Sequence, residues 1–245
     1  MHTETEPLLK VEGVSRRFGG LMAVNALNLE VRPGEIFGLI GPNGAGKSTT
    51  FNVISGFMSP TVGKVTFAGQ ELPGGRVGAA SKAGLVRTFQ HGSYVRSMSV
   101  GDNIRLGTLA RIAPSRRAEK VRETAALLGL TDVVDELAGN LSHGLQRLVS
   151  IAIAIAAAPK LLCLDEPLTG LNETEVATVL RVLDGYRKSK DRAILLVEHN
   201  MKAVMTICDR IHVLHHGEFL AAGTPVEIQS SKAVIEAYLG AAHAV

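Results

Sequence analysis

Residues 41–48 read GPNGAGKS, and they follow directly on the apolar run Ile36–Ile40. This is the pattern G-x-x-x-x-G-K-[ST] placed after a predicted strand, and residues 47–57 continue as a predicted helix. Glycines in such a loop let backbone N–H groups turn inward around phosphate oxygens, and the helix adds its positive end. Lys47 would add a charge for the outer phosphates, and Ser48 a hydroxyl for Mg²⁺. The stretch therefore predicts a strand–loop–helix unit that binds the phosphates of a nucleotide.

Length and composition allow one large α/β domain or a domain with an inserted subdomain. The chain has 245 residues, no Trp and a formal net charge of +3. That charge is too small to indicate nucleic acid as a partner. The densest basic cluster, residues 111–122, alternates with apolar residues and is interpreted as the solvated face of a helix.

Membrane and redox signals are weak. Cys163 lies in an apolar strand and Cys208 in a predicted helix, so both are interpreted as small buried hydrophobes in a reducing compartment. The N-terminus lacks the pattern of a signal peptide. The longest apolar run, residues 148–158, is shorter than the roughly 20 residues that span a bilayer. Any membrane association is therefore expected to come through a partner.

The chain divides into a β-rich first third, a helical middle and an alternating last part. Strands are predicted in the first third at residues 8–14, 27–31, 35–40, 64–67 and 85–89. Helices are predicted in the middle at residues 100–110, at residues 115–128 and after Ser142. Continuous apolar strands at 161–165 and 193–197, typical of a covered parallel sheet, then alternate with helices at 173–188 and 201–208. The pattern predicts an α/β nucleotide-binding core with an all-helical insertion at roughly residues 91–158, and a hairpin with a helical tail at 215–245.

Two carboxylates end the strand at residues 161–165. Asp165 and Glu166 would lie at the carboxyl end of that strand, where ligands bind in open α/β sheets. Asp165 is placed to hold Mg²⁺, and Glu166 to orient or deprotonate the water that attacks the γ-phosphate. Gln90 and His199 follow two other strands, so the Gln90 amide could reach Mg²⁺ or that water, and His199 could donate to the γ-phosphate.

Ser142, in the run LSHGLQ at residues 141–146, opens a long apolar helix. Ser142 is a good N-cap, and a helix start with Gly144 is a second anion site. One monomer has no remaining phosphate for that site, which indicates use across a dimer. Simple helix capping explains the residues equally well.

Taken together, these residues resemble the ATP-binding subunits of ABC transporters. GPNGAGKS is similar to the Walker A motif, and LLCLDE at residues 161–166 to the Walker B motif with its catalytic Glu. LSHGLQ resembles the signature motif of the family, and Leu171 with Asn172 resembles the D-loop. Gln90 matches the Q-loop and His199 the H-loop. Phe18, in RRFGG, matches the aromatic residue that stacks on adenine.

The resemblance implies a fold and a set of site residues. The fold would be a P-loop NTPase of the α/β class, with a RecA-like parallel sheet core, an N-terminal antiparallel β subdomain and the helical subdomain inserted at 91–158, all within one domain at 1–245. Nucleotide contacts are implied for Phe18, Gly41, Pro42, Asn43, Gly44, Ala45, Gly46, Lys47, Ser48, Thr49, Ser142 and Gly144. Catalytic roles are implied for Lys47, Gln90, Glu166 and His199, and Mg²⁺ ligation for Ser48, Gln90 and Asp165.

A closer similarity is to the branched-chain amino acid importers and their urea and amide relatives. It lies in the stretches FGGLMAVNALNLEV, GLVRTFQH, LTGLN, VEHNMKAVM and GTPVEIQ…VIEAYLG. The resemblance implies ATP and Mg²⁺ as cofactors, and a second ATPase subunit that closes head to tail on this one. Transmembrane permease subunits would contact residues 91–100, a solute-binding protein would act indirectly, and no nucleic acid is expected. The chain would lie peripherally on the cytoplasmic face of the membrane.

The sequence also departs from the family at Leu145, where the signature motif usually has Gln, and at Ile153, where Arg is common. Leu145 cannot hydrogen-bond a nucleotide. The main prediction is an ATP-hydrolysing subunit of an importer for branched-chain amino acids or related small polar solutes. The alternatives are a non-transport ABC ATPase, or a regulatory module that binds ATP and hydrolyses little of it.

Overall fold

The computed structural model of the protein describes residues 6–88, 93–189 and 191–242. Within these residues the chain forms two β-sheets. The strands are β1 (Leu9–Phe18), β2 (Leu21–Val31), β3 (Ile36–Ile40), β4 (Val62–Phe67), β5 (Gln70–Glu71), β6 (Leu85–Arg87), β7 (Leu161–Asp165), β8 (Ala193–Val197), β9 (Arg210–His215) and β10 (Glu218–Gly223). Their orders are β2-β1-β4-β5 in one sheet and β10-β9-β3-β8-β7-β6 in the other. The first sheet is antiparallel, and in the second the strands from β9 to β6 run parallel.

Helices cover the parallel sheet and fill the middle of the chain. They are α1 (Lys47–Ile54), α2 (Val77–Ala83), α3 (Val100–Thr108), α4 (Arg117–Leu127), α5 (His143–Ala156), α6 (Glu173–Arg187), α7 (Met201–Ile207), α8 (Pro225–Ser230) and α9 (Lys232–Ala242). Short 3₁₀ turns lie at Pro114–Arg116, Thr131–Val133 and Ala138–Asn140. None of the helices in the described part of the chain is long and apolar enough to cross a membrane.

The predicted fold class is confirmed, and the central strands show why it could be predicted. All five residues are buried in β3, in β7 and in β8. Strands buried on both faces consist of continuous apolar residues, and these are the runs that indicate a parallel sheet. Because the three strands are neighbours and run parallel, the loops that follow them meet at one edge of the sheet.

Element ends differ from the prediction where tertiary pairing extends a strand. β1 was expected to end at Val14, and it continues to Phe18. The extension pairs with β2 across register shifts, so that Arg16 lies opposite Val24 and Phe18 opposite Leu21. Such bulges break the simple alternation of apolar and polar residues that marks a strand in the sequence. No helix is predicted from the sequence at residues 77–83, where the structure has α2.

The long apolar helix expected after Ser142 is α5, and it is buried on most sides. It packs against α3 and α4, the other two helices of the middle of the chain. Leu145 and Ile153, the two departures from the family pattern, are partly buried and pack against the main hydrophobic core. Their apolar side chains therefore have a packing role within this chain. Cys163 and Cys208 are buried and not in a disulfide, as predicted.

His212 is a buried histidine on β9 that lies between aromatic rings. Its ring centroid is 4.9 Å from that of Phe219 and 6.2 Å from that of Phe37. It is 4% exposed, and its Nε2 has no hydrogen-bond partner within the described residues. Burial, together with the charge of Arg210, lowers the pKa of His212 from 6.5 to about 4. The ring is therefore neutral in the folded protein at neutral pH.

Replacement of His212 by Leu is expected to reduce the acid sensitivity of the fold. Between pH 6.5 and about 4 the unfolded state binds a proton that the folded state does not, so stability falls as the pH drops through this window. The full loss is on the order of 3 kcal/mol, at about 1.4 kcal/mol per pKa unit. Free energies of unfolding measured at pH 7 and pH 5 should fall less in the variant than in the wild type. Equal losses in the two proteins would contradict this account.

Candidate nucleotide site

Residues 43–48 of the phosphate loop (residues 41–48) line a cleft of about 500 Å³. Lining residues from this loop and from α1 run from Asn43 to Thr49, and Glu166 lines the same cleft. Gly46 is the N-cap of α1 with φ +94°, and a Cβ there would come within 2.6 Å of the Ala23 carbonyl oxygen. Only glycine fits this position, because both the backbone conformation and the close approach exclude a side chain. The loop geometry suits phosphate binding by backbone N–H groups at a helix start.

Lys47 is held over the loop by two carbonyl groups. Its Nζ donates to the Gly41 oxygen at 2.7 Å and to the Pro42 oxygen at 3.0 Å. Burial lowers the pKa of Lys47, while the charges of Glu166 and Asp165 act in the opposite direction. The ammonium group therefore lies near both carboxylates at the end of β7, and its position is set before any phosphate binds.

Asp165 and Glu166 differ in environment although they are neighbours. Asp165 is 8% exposed, and burial raises the pKa of its carboxyl group against the opposing charge of Arg87. Glu166 lines the cleft and has a left-handed backbone with φ +49°. A residue other than glycine in this conformation is strained, and such strain persists only where the surroundings hold it. One carboxylate is therefore set back in the protein, and the other faces the ligand space.

His199 is brought to Glu166 by the neighbouring strand. It follows β8, and its Nδ1 lies 3.3 Å from the Glu166 Oε1. The imidazole is largely exposed, whereas its backbone N–H is bonded to the buried carboxylate of Glu198. Strands β7 and β8 thus deliver an acid and an imidazole side by side at the edge of the cleft.

Gln90 lies outside the described residues, so its predicted roles as a Mg²⁺ ligand and a catalytic residue stay predictions. Among the described residues, no three His, Cys, Asp or Glu side chains are grouped so as to hold a metal ion. A hydroxyl and a carboxylate are nevertheless oxygen ligands that suit Mg²⁺. Ser48, which lines the cleft, and Asp165, whose charge acts on Lys47, supply them. The donors are compatible with an ion that also binds the nucleotide phosphates.

Phe18 lies at the end of β1 and is 41% exposed. The guanidinium of Arg16 lies 4.7 Å from the centroid of its ring and occupies one of the two faces. In the described part of the chain Phe18 is not among the residues that line the cleft. Its pairing partner Leu21 does line it, with Met22 and Ala23. The adenine contact of Phe18 remains a prediction.

Ser142 and Gly144 lie at the start of α5, and the structure gives each a role within the chain. The Ser142 hydroxyl accepts from the Leu145 N–H at 3.3 Å, which is ordinary helix capping. Gly144 is buried, and a Cβ there would meet the Glu175 carboxylate at 1.9 Å. Glycine therefore lets α5 pack closely against the first turn of α6. Ser142 itself is exposed and accessible to another molecule.

The cleft also contains residues that the sequence interpretation missed. His216 and Gly217, in the turn after β9, line it beside the phosphate loop. The Gly217 N–H donates to the Ala45 oxygen at 3.1 Å, and the Gly217 oxygen accepts from Asn25 at 2.8 Å. A local pattern identifies only the turn. The contact depends on β9 lying next to β3, which the sequence alone does not reveal.

Comparison with known proteins places the chain in a family. The family model described as ABC transporter matches residues 24–169, and a second model, the branched-chain amino acid ATP-binding cassette transporter, matches residues 220–244. The crystal structure of the ADP conformation of MJ1267, an ATP-binding cassette of an ABC transporter, is similar with a TM-score of 0.85 and 28% identity. That comparison covers 96% of this chain and 100% of the other.

Two curated relatives match nearly the whole chain. The high-affinity branched-chain amino acid transport ATP-binding protein LivG of Escherichia coli K12 is 41% identical, over 97% of this chain and 100% of the relative. The corresponding protein BraF of Pseudomonas aeruginosa is 38% identical over the same shares. The match of the family model together with these identities shows that this chain is an ATP-binding member of the ABC transporter family.

Proposed function

We propose that this chain hydrolyses ATP as a subunit of an importer for branched-chain amino acids or related small polar solutes. The observation that supports hydrolysis is that Glu166 lines the same cleft as the phosphate loop, with the His199 Nδ1 3.3 Å from its carboxylate. The solute class is supported by the names of the relatives LivG and BraF. Neither relative supports a non-transport role.

Each residue of the candidate site has a separate role in the transfer of the γ-phosphoryl group to water. Backbone N–H groups of residues 43–48 and the charge of Lys47 bind the phosphates and orient the γ-phosphate toward Glu166. Glu166 accepts a hydrogen bond from the attacking water and takes up its proton. In one tautomer the Nδ1–H of His199 donates to the Glu166 carboxylate, and in the other the Nε2–H can donate toward the γ-phosphate. Ser48, Asp165 and the predicted ligand Gln90 would hold Mg²⁺, which would neutralise charge on the phosphate oxygens.

A second ATPase subunit would complete the site. Ser142 is exposed at the start of α5, and the N–H groups of this helix start can bind an anion brought by another molecule. We infer that each nucleotide lies between the phosphate loop of one subunit and Ser142 and Gly144 of the other. The partner is a related chain or another copy of this one.

The membrane subunits would contact the loop that precedes α3. Val95 and Met98 are apolar residues there, 40% and 38% exposed, and they lie in the segment expected to bind a permease. The buried Asn103 holds this loop through bonds with Val95, Met98 and Ser99. The Tyr94 hydroxyl donates to Gln146 of α5 at 2.6 Å, which links the proposed permease contact to the helix that Ser142 opens. The chain would thus lie peripherally on the cytoplasmic face of the membrane, and a solute-binding protein would act only through the permease.

The proposal is tested by identifying the membrane subunits that co-purify with the chain, co-expressing them with it and measuring ATPase activity in proteoliposomes. Activity that rises when a loaded branched-chain amino acid receptor is added supports both hydrolysis and solute class. ATP hydrolysis that responds to a different solute would overturn the class alone. Absence of hydrolysis in the assembled complex would overturn the enzymatic assignment.

A further inference from the structure

The segment that carries Glu166 is held from two sides by buried charges that the mechanism above does not use. We propose that Arg147 and Glu198 are positioning residues for hydrolysis, which together fix the backbone of residues 165–168 and so the carboxylate of Glu166 and the ring of His199. This rests on the proposed function, because it concerns the geometry of the same catalytic pair.

The Arg147 guanidinium donates hydrogen bonds to the backbone carbonyl groups of this segment. It lies on α5 and is 9% exposed. Its Nε donates to the Pro167 oxygen at 3.2 Å, and its Nη2 donates to the oxygens of Asp165, at 3.4 Å, and Glu166. A guanidinium has several donors in one plane and can bond successive carbonyl groups, which an ammonium on a flexible stem does less well. The bonds fix the peptides on both sides of the strained Glu166 backbone.

The Glu198 carboxylate accepts hydrogen bonds from a backbone N–H group of this segment and from the backbone N–H group of His199. It is 2% exposed, and its Oε1 accepts from the Leu168 N–H at 2.8 Å. Its Oε2 accepts from the N–H groups of His199, at 3.1 Å, and Asn200, at 3.3 Å. One carboxylate therefore joins the chain after Glu166 to the start of the His199 loop. An isosteric amide has one oxygen and one NH₂ group, so it can satisfy only one of these two sides.

The two buried side chains carry opposite charges, and the charge of Glu198 acts on Arg147. Burial lowers the pKa of Arg147, and the charge of Glu198 is the largest of those that oppose this effect. Buried charges are costly unless they are paired and hydrogen-bonded, and here each is bonded to the backbone of the same segment. The backbone of Glu166, with φ +49°, is strained, and these hydrogen bonds hold it in that conformation. Arg147 also lies on the helix that Ser142 opens, so a shift of α5 on closure would move the Glu166 peptide.

The test compares Glu198→Gln and Arg147→Lys with the wild type in a steady-state ATPase assay of the assembled complex, with ATP affinity measured by equilibrium titration. We expect kcat to fall about 10- to 100-fold, since misplacement of a catalytic group by about 1 Å has effects of this size. ATP affinity and KM should stay unchanged, because neither residue faces the phosphate loop. If Glu198→Gln does not fold, Arg147→Lys decides the question with the same measurements.

Glu35→Gln is the matched control. Glu35 is also a buried carboxylate, 7% exposed, with an ion pair to Arg210 at 3.3 Å, but it lies before β3 at the amino end of the sheet. It should lower the melting temperature and leave kcat unchanged. A wild-type kcat in a folded Glu198 or Arg147 variant, while Glu166→Gln is inactive, would overturn the positioning role alone. Full activity of Glu166→Gln would overturn the proposed catalytic assignment instead.

Discussion

Glu166→Gln is expected to keep ATP binding and to reduce hydrolysis by about 10²–10⁴-fold, the usual effect of removing a positioned proton acceptor. The Glu166 side chain lines the cleft together with the phosphate loop, and its Oε1 lies 3.3 Å from the His199 Nδ1. An amide of the same shape fits the space but cannot take up the proton of the attacking water. Because hydrolysis would stop after closure, the variant should accumulate as an ATP-bound dimer.

Three measurements separate the steps of this prediction. Equilibrium titration with ATP reports binding, phosphate release reports hydrolysis, and size-exclusion chromatography with ATP and Mg²⁺ reports dimer formation. Glu119→Gln is the control, because Glu119 is an exposed carboxylate on α4, far along the chain from the cleft, in a weak pair with Arg116. Turnover of Glu166→Gln near that of the wild type would show that another group takes the proton.

The residues of the cleft that could be predicted from the sequence are those that follow buried strands. Residues 41–48 follow β3, Asp165 and Glu166 lie at the carboxyl end of β7, and His199 comes shortly after β8. These strands are recognisable because nearly all of their residues are apolar. Parallel neighbours put the loops after them at one edge of the sheet, so the spatial grouping follows from strand type. The fold class was predictable for the same reason.

The residues that support the cleft were not predictable, because their roles depend on burial and on contacts between distant parts of the chain. Arg147 and Glu198 are charged, and charged residues are usually exposed, so nothing local marks them as buried. The anion-site prediction for Gly144 stays a prediction, but its packing against Glu175, 31 positions away, could not be predicted. His216 reaches the cleft only because β9 pairs with β3. Such contacts belong to the tertiary structure and leave no periodic signal.

Lys47→Ala is expected to weaken ATP binding about 10- to 100-fold, because a hydrogen bond to a charged group contributes about 1.5–3 kcal/mol. Nζ is already held over the loop by the oxygens of Gly41, at 2.7 Å, and Pro42, at 3.0 Å. Phosphate therefore meets an ammonium group that needs little reorganisation. Loss of this charge also leaves the carboxylates of Glu166 and Asp165 to repel the incoming phosphates, since their charges act on Lys47 in the free protein.

Titration with ATP and with adenosine distinguishes this effect from damage to the fold. Adenosine lacks phosphates, so its weaker binding should be the same in Lys47→Ala and in the wild type. Lys64→Ala serves as the control for charge, because Lys64 is exposed on β4 and pairs only weakly with Glu12 at 3.4 Å. Lys47→Arg keeps the positive charge but spreads it over a planar guanidinium, which cannot lie between the two carbonyl oxygens as the compact ammonium group does. This variant should therefore bind ATP less well than the wild type. Unchanged ATP affinity in Lys47→Ala would contradict the assignment of residues 41–48 as the phosphate site.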